Sequence, residues 1–240
     1  MRNKCKYRGF SLTEVLLAVG TLAIGMVFIS GTFLTGIHFS TISTERTIAA
    51  VVADEAFAKI KVYGINFTDP NFVVNQQARF DSVSSISTRP FEFAYPSTKT
   101  STDKHYYWSA LCRPVYSGPG NRVVQVTVFV SRKLGATTTY QGGAFWPVPV
   151  QVGVTGAVGD RVLTITGDIT FINDGYTIVE NGTGNIYRVV ERGADPAFPE
   201  QITLAQGKLW QGGDSVWVIP PPVGGGKNPC IAVYQELISF

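Results

Sequence analysis

Charge is scarce in this chain: of its 240 residues only 15% are Asp, Glu, Lys or Arg. There are two histidines, His38 and His105, and three cysteines. No Cys-x-x-Cys, His-Glu-x-x-His or Gly-x-Ser-x-Gly string occurs, so no zinc, dithiol or serine-hydrolase motif is present. No acid precedes Glu14, no charged residue lies in 15–37, and no proline lies between Phe10 and Asp69. The formal charge of +3 is carried at the start, by Arg2, Lys4, Lys6 and Arg8; without these four it becomes −1. A near-neutral remainder lacks the basic surface that nucleic-acid binding needs, and no nucleic-acid partner is expected.

What is present begins with the uncharged run. Its 23 residues, 15–37, make a helix of ~34 Å, enough to cross a ~30 Å hydrocarbon core. The four basic residues before it should stay cytoplasmic, so the rest of the chain is exported. A secretory signal would end in a small-x-small cleavage site. Here the run continues into Phe39, Ser40, Thr41 and Ile42, a poor fit. A plain signal anchor leaves Glu14 unexplained, because a carboxylate at the start of a spanning helix is costly without a partner.

Residues 8–17 read Arg-Gly-Phe-Ser-Leu-Thr-Glu-Val-Leu-Leu. This string resembles the prepilin peptidase motif of type IV pilins and type II secretion pseudopilins. The resemblance implies cleavage between Gly9 and Phe10, N-methylation of Phe10, and an assembly role for Glu14, five positions into the mature chain. Its physical sense is that cleavage leaves the apolar helix attached and creates an ammonium group at Phe10. A neighbour's Glu14 can then pair with that ammonium in a filament, fixing the axial register. The resemblance further implies a single-pass subunit of the bacterial cytoplasmic membrane with a periplasmic head. Its partners would be prepilin peptidase, other pilin or pseudopilin subunits, the inner-membrane assembly platform and membrane lipid. Many major pilins carry a proline within this helix. Here Gly20, Gly25, Gly31 and Gly36 stand instead, for close packing, for local melting, or as ordinary membrane-helix glycines. Loss of the first nine residues would also remove Cys5. Cys112 and Cys230 would remain, either as a disulfide or as two buried thiols.

The helical pattern continues to about Tyr63. Ile42, Ala49, Val52, Ala56, Ile60 and Tyr63 form one apolar face, and Gly64 and Asn66 supply a stop. Residues 10–63 would form a helix of ~80 Å. The string over 49–60, Ala-Ala-x-x-Ala-Asp-Glu-Ala-Phe-Ala-Lys-Ile, looks like the helix continuation of minor pilins or pseudopilins of the I or V type. Beyond it, 67–101 is polar, with a short strand near 91–95. Residues 105–116 and 122–132 form a hairpin around the turn 117–121, with Val124, Val126, Val128 and Val130 on one face, which should pack on the helix. Residues 135–146 read as a linker. Strand-like runs follow at 148–154, 161–165, 169–172, 177–179, 186–191, 201–204, 215–219 and 231–238, spaced as in a small barrel or sandwich.

The expected fold class is therefore α+β. A long N-terminal transmembrane helix packs on an antiparallel, pilin-like β-sheet, and a C-terminal all-β small barrel or sandwich follows. The expected divisions are a leader (1–9), the helix (10–66), a β head (67–134), the linker (135–146) and a C-terminal β-domain (147–240). No enzyme activity, cofactor or metal is expected. Asp160, Asp168, Asp174 and Glu180 lack the compact spacing of a calcium loop and read as turn acids. His105 reads as structural, and Gly224-Gly225-Gly226-Lys227 lacks the spacer and Ser/Thr of a phosphate-binding loop. The alternative to a filament subunit is a signal-anchored periplasmic β-domain that binds a ligand and never polymerises.

Overall fold

The computed structural model describes residues 11–86, 91–97, 104–115, 122–135, 138–140 and 144–240. The chain divides into two compact units, one ending at Glu45 and one running from Arg46 to Phe240. Helix α1, Leu12–Tyr63, is long and contains no proline. It stops at Gly64, whose φ of 69° is accessible to a residue without Cβ. The Gly64 amide donates to the Ile60 carbonyl at 3.0 Å, closing the last turn in a left-handed cap.

In the second unit α1 has one buried face: Ala49, Val52, Ala53, Ala56, Phe57 and Ile60. Their spacing of three and one, repeated, is the stripe of an amphipathic helix, and its three alanines let the backbone approach a sheet closely. The sheet is antiparallel. Strands β1 (Ala78–Arg79) and β2 (Ala94–Tyr95) both pair with β3 (Tyr106–Pro114), which pairs with β4 (Val123–Arg132). A four-residue helix α2, Phe80–Val83, follows β1. Val124, Val126, Val128 and Val130 of β4 meet the α1 stripe in one core with Trp108, Ala110 and Cys112 of β3. The expected valine face therefore packs on the helix.

The expected barrel or sandwich is a closed barrel, and the last strand of the chain lies outside it. Strands β5 (Val150–Thr155), β6 (Val162–Ile165), β7 (Thr177–Glu180), β8 (Ile186–Arg192), β9 (Gln201–Leu204) and β10 (Ser215–Val218) close in the order β10-β5-β6-β9-β8-β7. Its interior is filled by Leu163, Ile178, Val189, Ile202, Trp210 and Val216, so it is a packed core rather than a ligand cavity. The last strand, β11 (Cys230–Ser239), does not belong to it. β11 pairs antiparallel with β4, from Cys230↔Ser131 to Ser239↔Val123. The barrel is thus an insertion between two neighbouring strands of the first sheet, and the expected division at 147–240 gives way to that arrangement. Two smaller expectations also change. The run at 169–172 is a 3-10 turn, Ile169–Phe171, because Asp168 accepts the Thr170 amide and caps it. In the expected linker, Tyr140 is fully buried.

The barrel covers the face of the sheet opposite the helix. Leu111 and Phe129 of the sheet form a core with Val179, Trp217 and Ile219. The α+β class therefore stands as three layers in the second unit: helix, sheet and barrel. Ile60, fully buried, and Val62, 84% exposed, test the helix-to-sheet layer. Ile60→Ala should cost about 2–5 kcal/mol, and Val62→Ala no more than about 0.5 kcal/mol. Urea unfolding in micelles, followed by tryptophan fluorescence, reads both, since all four tryptophans lie beyond residue 100.

Candidate functional site

Gly9 and Phe10 lie outside the described residues, and so does Cys5. Glu14 is described. It is exposed in the first turn of α1, three residues after Ser11. Ser11 acts as the N-cap: its Oγ accepts the Thr13 amide at 3.3 Å, and its carbonyl accepts the Glu14 and Val15 amides at 3.0 and 3.2 Å. Ser-x-x-Glu at this position is a capping-box pattern, and a carboxylate here also complements the positive end of the helix dipole.

From Leu12 to Phe39 fifteen large apolar side chains are each at least half exposed. A Cβ built on Gly20, Gly25, Gly31 or Gly36 would meet nothing within 4 Å. The hydroxyls of this region do not face outward unsatisfied. Those of Thr21, Ser30, Thr32, Thr35, Thr41 and Thr44 donate to carbonyls three or four residues earlier in the helix. Such back-bonding leaves a surface that an apolar solvent tolerates. By length and composition α1 is the one helix among the described residues able to cross a membrane.

Of the two alternatives for the cysteine pair, the free thiols stand, at both Cys112 and Cys230. Cys112 sits opposite Val126 and faces the helix-side core. Cys230 sits opposite Ser131 and packs with the barrel-side core. The two are on opposite faces of the sheet, with β4 between them, and about 17 Å apart along its direction. No disulfide can span that gap. Burial pushes the Cys112 thiol far up, and the Cys230 thiol from 9.0 up to about 12.

Asp160, Asp168 and Glu180 are each engaged within their own turn, and Asp174 reaches across to the end of β8. Asp160 accepts the Ala157 amide, Asp174 the Arg192 amide, and Glu180 the amides of Gly182 and Thr183 with the Thr183 hydroxyl. The Thr170 hydroxyl and amide hold the Asp168 carboxyl below its usual range. Among the described residues no group of three or more His, Cys, Asp or Glu side chains converges on a metal position. His38 and His105 are both exposed. The triple-glycine loop, 224–226, bounds a cleft of about 410 Å³ with Arg192 and Asn173.

The densest polar constellation lies in the turn after β7. Glu180, 2% exposed, anchors that turn. The turn then bonds to the sheet. Arg113 of β3 donates to the Gly182 carbonyl at 3.0 Å and to Gln125 at 2.8 Å. Gln235 of β11 donates to the Gly184 carbonyl and to Thr127, both at 2.9 Å. Asn181 Oδ1 accepts both the Gln77 amide and Trp217 Nε1. Burial lowers the Arg113 pKa, while the nearby Glu180 charge raises it. Gly184, at φ 73°, sits where glycine is favoured, and a Cβ there would also push aside Gln125 Oε1, 2.5 Å away, and Gln77 Nε2, 2.7 Å away. In the sequence this seam shows only as the run Asn-Gly-Thr-Gly-Asn over 181–185, the loop that joins the antiparallel pair β7 and β8.

Comparison with protein-family models, with curated proteins and with solved structures finds no match to this chain.

The thiol assignment is directly testable. In the native chain at pH 8, iodoacetamide should leave buried Cys112 unmodified and react with half-buried Cys230 much more slowly than with a free thiol in solution. After denaturation without reductant it should label both. A Cys112–Cys230 peptide in a non-reducing digest would overturn the assignment. The same thiols set a pH dependence. Their folded pKa values are raised, so well below pH 9 they are protonated in both states and contribute no slope. Above it the unfolded thiols ionise while the folded ones hold their protons, and stability falls toward pH 12. Cys112→Ala should flatten that fall in urea midpoints measured from pH 8 to 11.

Proposed function

We propose that the chain is the precursor of a pilin-like filament subunit, a minor pilin or pseudopilin of a type IV pilus or type II secretion pseudopilus. Prepilin peptidase cuts it after Gly9, and it assembles through its N-terminal helix. The observation that carries this reading is the string from Arg8 to Glu14 running without a break into an apolar helix. A secretory signal would discard that helix; this cleavage keeps it.

The physical argument concerns the new N-terminus. Once Phe10 is the first residue, its ammonium sits just before the N-cap Ser11. A positive charge beside the positive end of a helix dipole is unfavourable, and it is more so in a low-dielectric environment. Glu14 supplies the compensating charge. Within the membrane the pair lies near the interface. In a filament, the Glu14 of one subunit meets the Phe10 ammonium of the next, and only one axial stagger leaves no charge unpaired. The apolar residues from 12 to 39 serve as the anchor before assembly and as the packing surface after it. The head, with its inserted barrel, stays on the periplasmic side. Its partners are the peptidase, neighbouring subunits and the assembly platform.

One observation favours a second reading, a signal-anchored binding module that never polymerises. Glu14 occupies the third helical position after a serine cap, so capping alone gives it a role. Gln caps there as well as Glu but carries no charge. Glu14→Gln should therefore leave the helix and its processing intact and still abolish, or reduce at least tenfold, recovery of the subunit in sheared filaments. Normal assembly of Glu14→Gln, with failure of Glu14→Ala, would replace the charge pair by the cap. Mass spectrometry of the membrane-extracted chain should find N-methylated Phe10 as the first residue, with two alkylatable thiols rather than three. An intact N-terminus retaining Cys5, or cleavage near residue 40, rejects the filament reading.

A further inference from the structure

Beside the Glu180 turn, at the seam of barrel and sheet, lies an open bowl of about 580 Å³. Its wall takes Asn75 and Gln76 from the segment before β1, and Gln151, Asn181, Asp214 and Ser215 from the barrel. The volume lies in the range of small-ligand sites, and the junction of two structural elements is where such sites form. The hydrogen-bonding capacity of the wall is only partly used. Asn181 spends its oxygen on Gln77 and Trp217, which orients the amide and leaves both Nδ2 hydrogens uncommitted. Gln151 Nε2 donates to Ser215 Oγ at 2.9 Å, and Ser215 donates to Asp214 Oδ1 at 2.8 Å. That chain leaves Gln151 Oε1 and Asp214 Oδ2 as free acceptors. The bowl thus offers fixed donors and acceptors side by side, on a floor held rigid by the Glu180 turn.

The lining decides what fits. It contains no Lys, Arg or His, so phosphates, nucleic acids and acidic sugars would meet Asp214 with nothing to attract them. It contains no large apolar side chain, so lipids and apolar ligands gain nothing there. A calcium ion needs six to eight oxygens. The Glu180 carboxylate already accepts three hydrogen bonds and faces the Arg113 charge, which leaves Asp214 as the one carboxylate available. What remains is a neutral ligand whose groups both donate and accept at close spacing. Vicinal hydroxyls have that property, and planar amide and carboxylate groups meet two of them at once.

We propose that this bowl binds a neutral polyhydroxylated ligand, the hydroxyl face of a glycan. The site gives the inserted barrel a recognition role. It does not depend on the assembly reading, because binding is read on the unassembled chain.

The test is calorimetric titration of the full chain in detergent micelles with the methyl glycosides of glucose, galactose, mannose and N-acetylglucosamine. Hydrogen exchange locates the contact. At least one glycoside should bind saturably and protect amides around 75–76 and 213–215. Gln151→Ala and Asp214→Ala, both at exposed positions, should each weaken binding about tenfold or more with the melting temperature unchanged. Absence of saturable binding by all four glycosides overturns the proposal, as does binding that survives both substitutions or protects a different surface. Calcium or a lysine peptide binding through Asp214, with no glycoside doing so, overturns it in favour of a cation site.

Discussion

Strand β4 is paired on both edges and buried on both faces, and the remainder of the second unit is arranged around that condition. A strand in the middle of an antiparallel sheet commonly has one wet face. Here Val124, Val126, Val128 and Val130 take the helix side, while Thr127, Phe129 and Ser131 are buried on the barrel side. The first face requires α1 with its small residues, since Ala49, Ala53 and Ala56 allow the close approach that flat valines permit. The second face is mixed. Phe129 supplies the apolar contact, and Thr127 is satisfied by Gln235 of β11. Remove β11 and β4 loses both an edge and a polar partner.

An apolar patch alone would hold the barrel without fixing its orientation, because burial has no direction. The three buried residues that meet Leu111 and Phe129, namely Val179, Trp217 and Ile219, make a small contact of that kind. Direction comes from the bonds around the Glu180 turn. Arg113, Gln235 and Asn181 reach it from β3, β11 and the turn itself, and each bond fails if the barrel rotates by a residue. Gly184 lets the backbone approach Gln77 and Gln125 closely enough for this. Buried polar contacts of this sort contribute modestly to stability and strongly to a unique arrangement.

How legible this was in the sequence depended on whether a signal was local. The helix stop at Gly64, the alternating valines of β4, and strands such as β9 are local patterns, and they stand where the sequence put them. The run from Ile169 to Ile172 has the same apolar look as a strand. Asp168 in front of it turns it into a capped 3-10 turn, a competition that periodicity alone does not register. The placement of β11 was not legible, because the alternation of residues 231–238 names a strand but not its partner. The cysteines stayed open between a bond and two thiols for a related reason. An even count suggests a bond only if the two side chains share a face, and facing follows from strand partners. The candidate functional groups divide in the same way. Glu14 and its Ser11 cap are adjacent in sequence and were visible. The bowl wall draws on residues 75, 151, 181 and 214, which only the fold brings together.

Insertion explains how the sheet tolerates so large an excursion. β4 and β11 are antiparallel neighbours, so the chain leaves the sheet at Arg132 and returns beside it: the Arg132 amide donates to the Pro229 carbonyl at 2.9 Å. Topologically the pair is a hairpin whose turn has become a barrel. A long loop adds little closure entropy over a moderate one, and a folded insert whose own ends are close adds less still, because it holds them together. The sheet therefore constrains the two ends of the barrel and the seam that touches β3 and β11, and leaves the rest of the barrel surface free to vary. The helix side has no such freedom. Its stripe from Ala49 to Ile60 must match the valines of β4, and its apolar stretch before Ser40 must suit its own surroundings. Recognition is accordingly better placed on the barrel than on the helix. There a new wall residue alters a surface, whereas on α1 it would alter the packing on which the sheet depends.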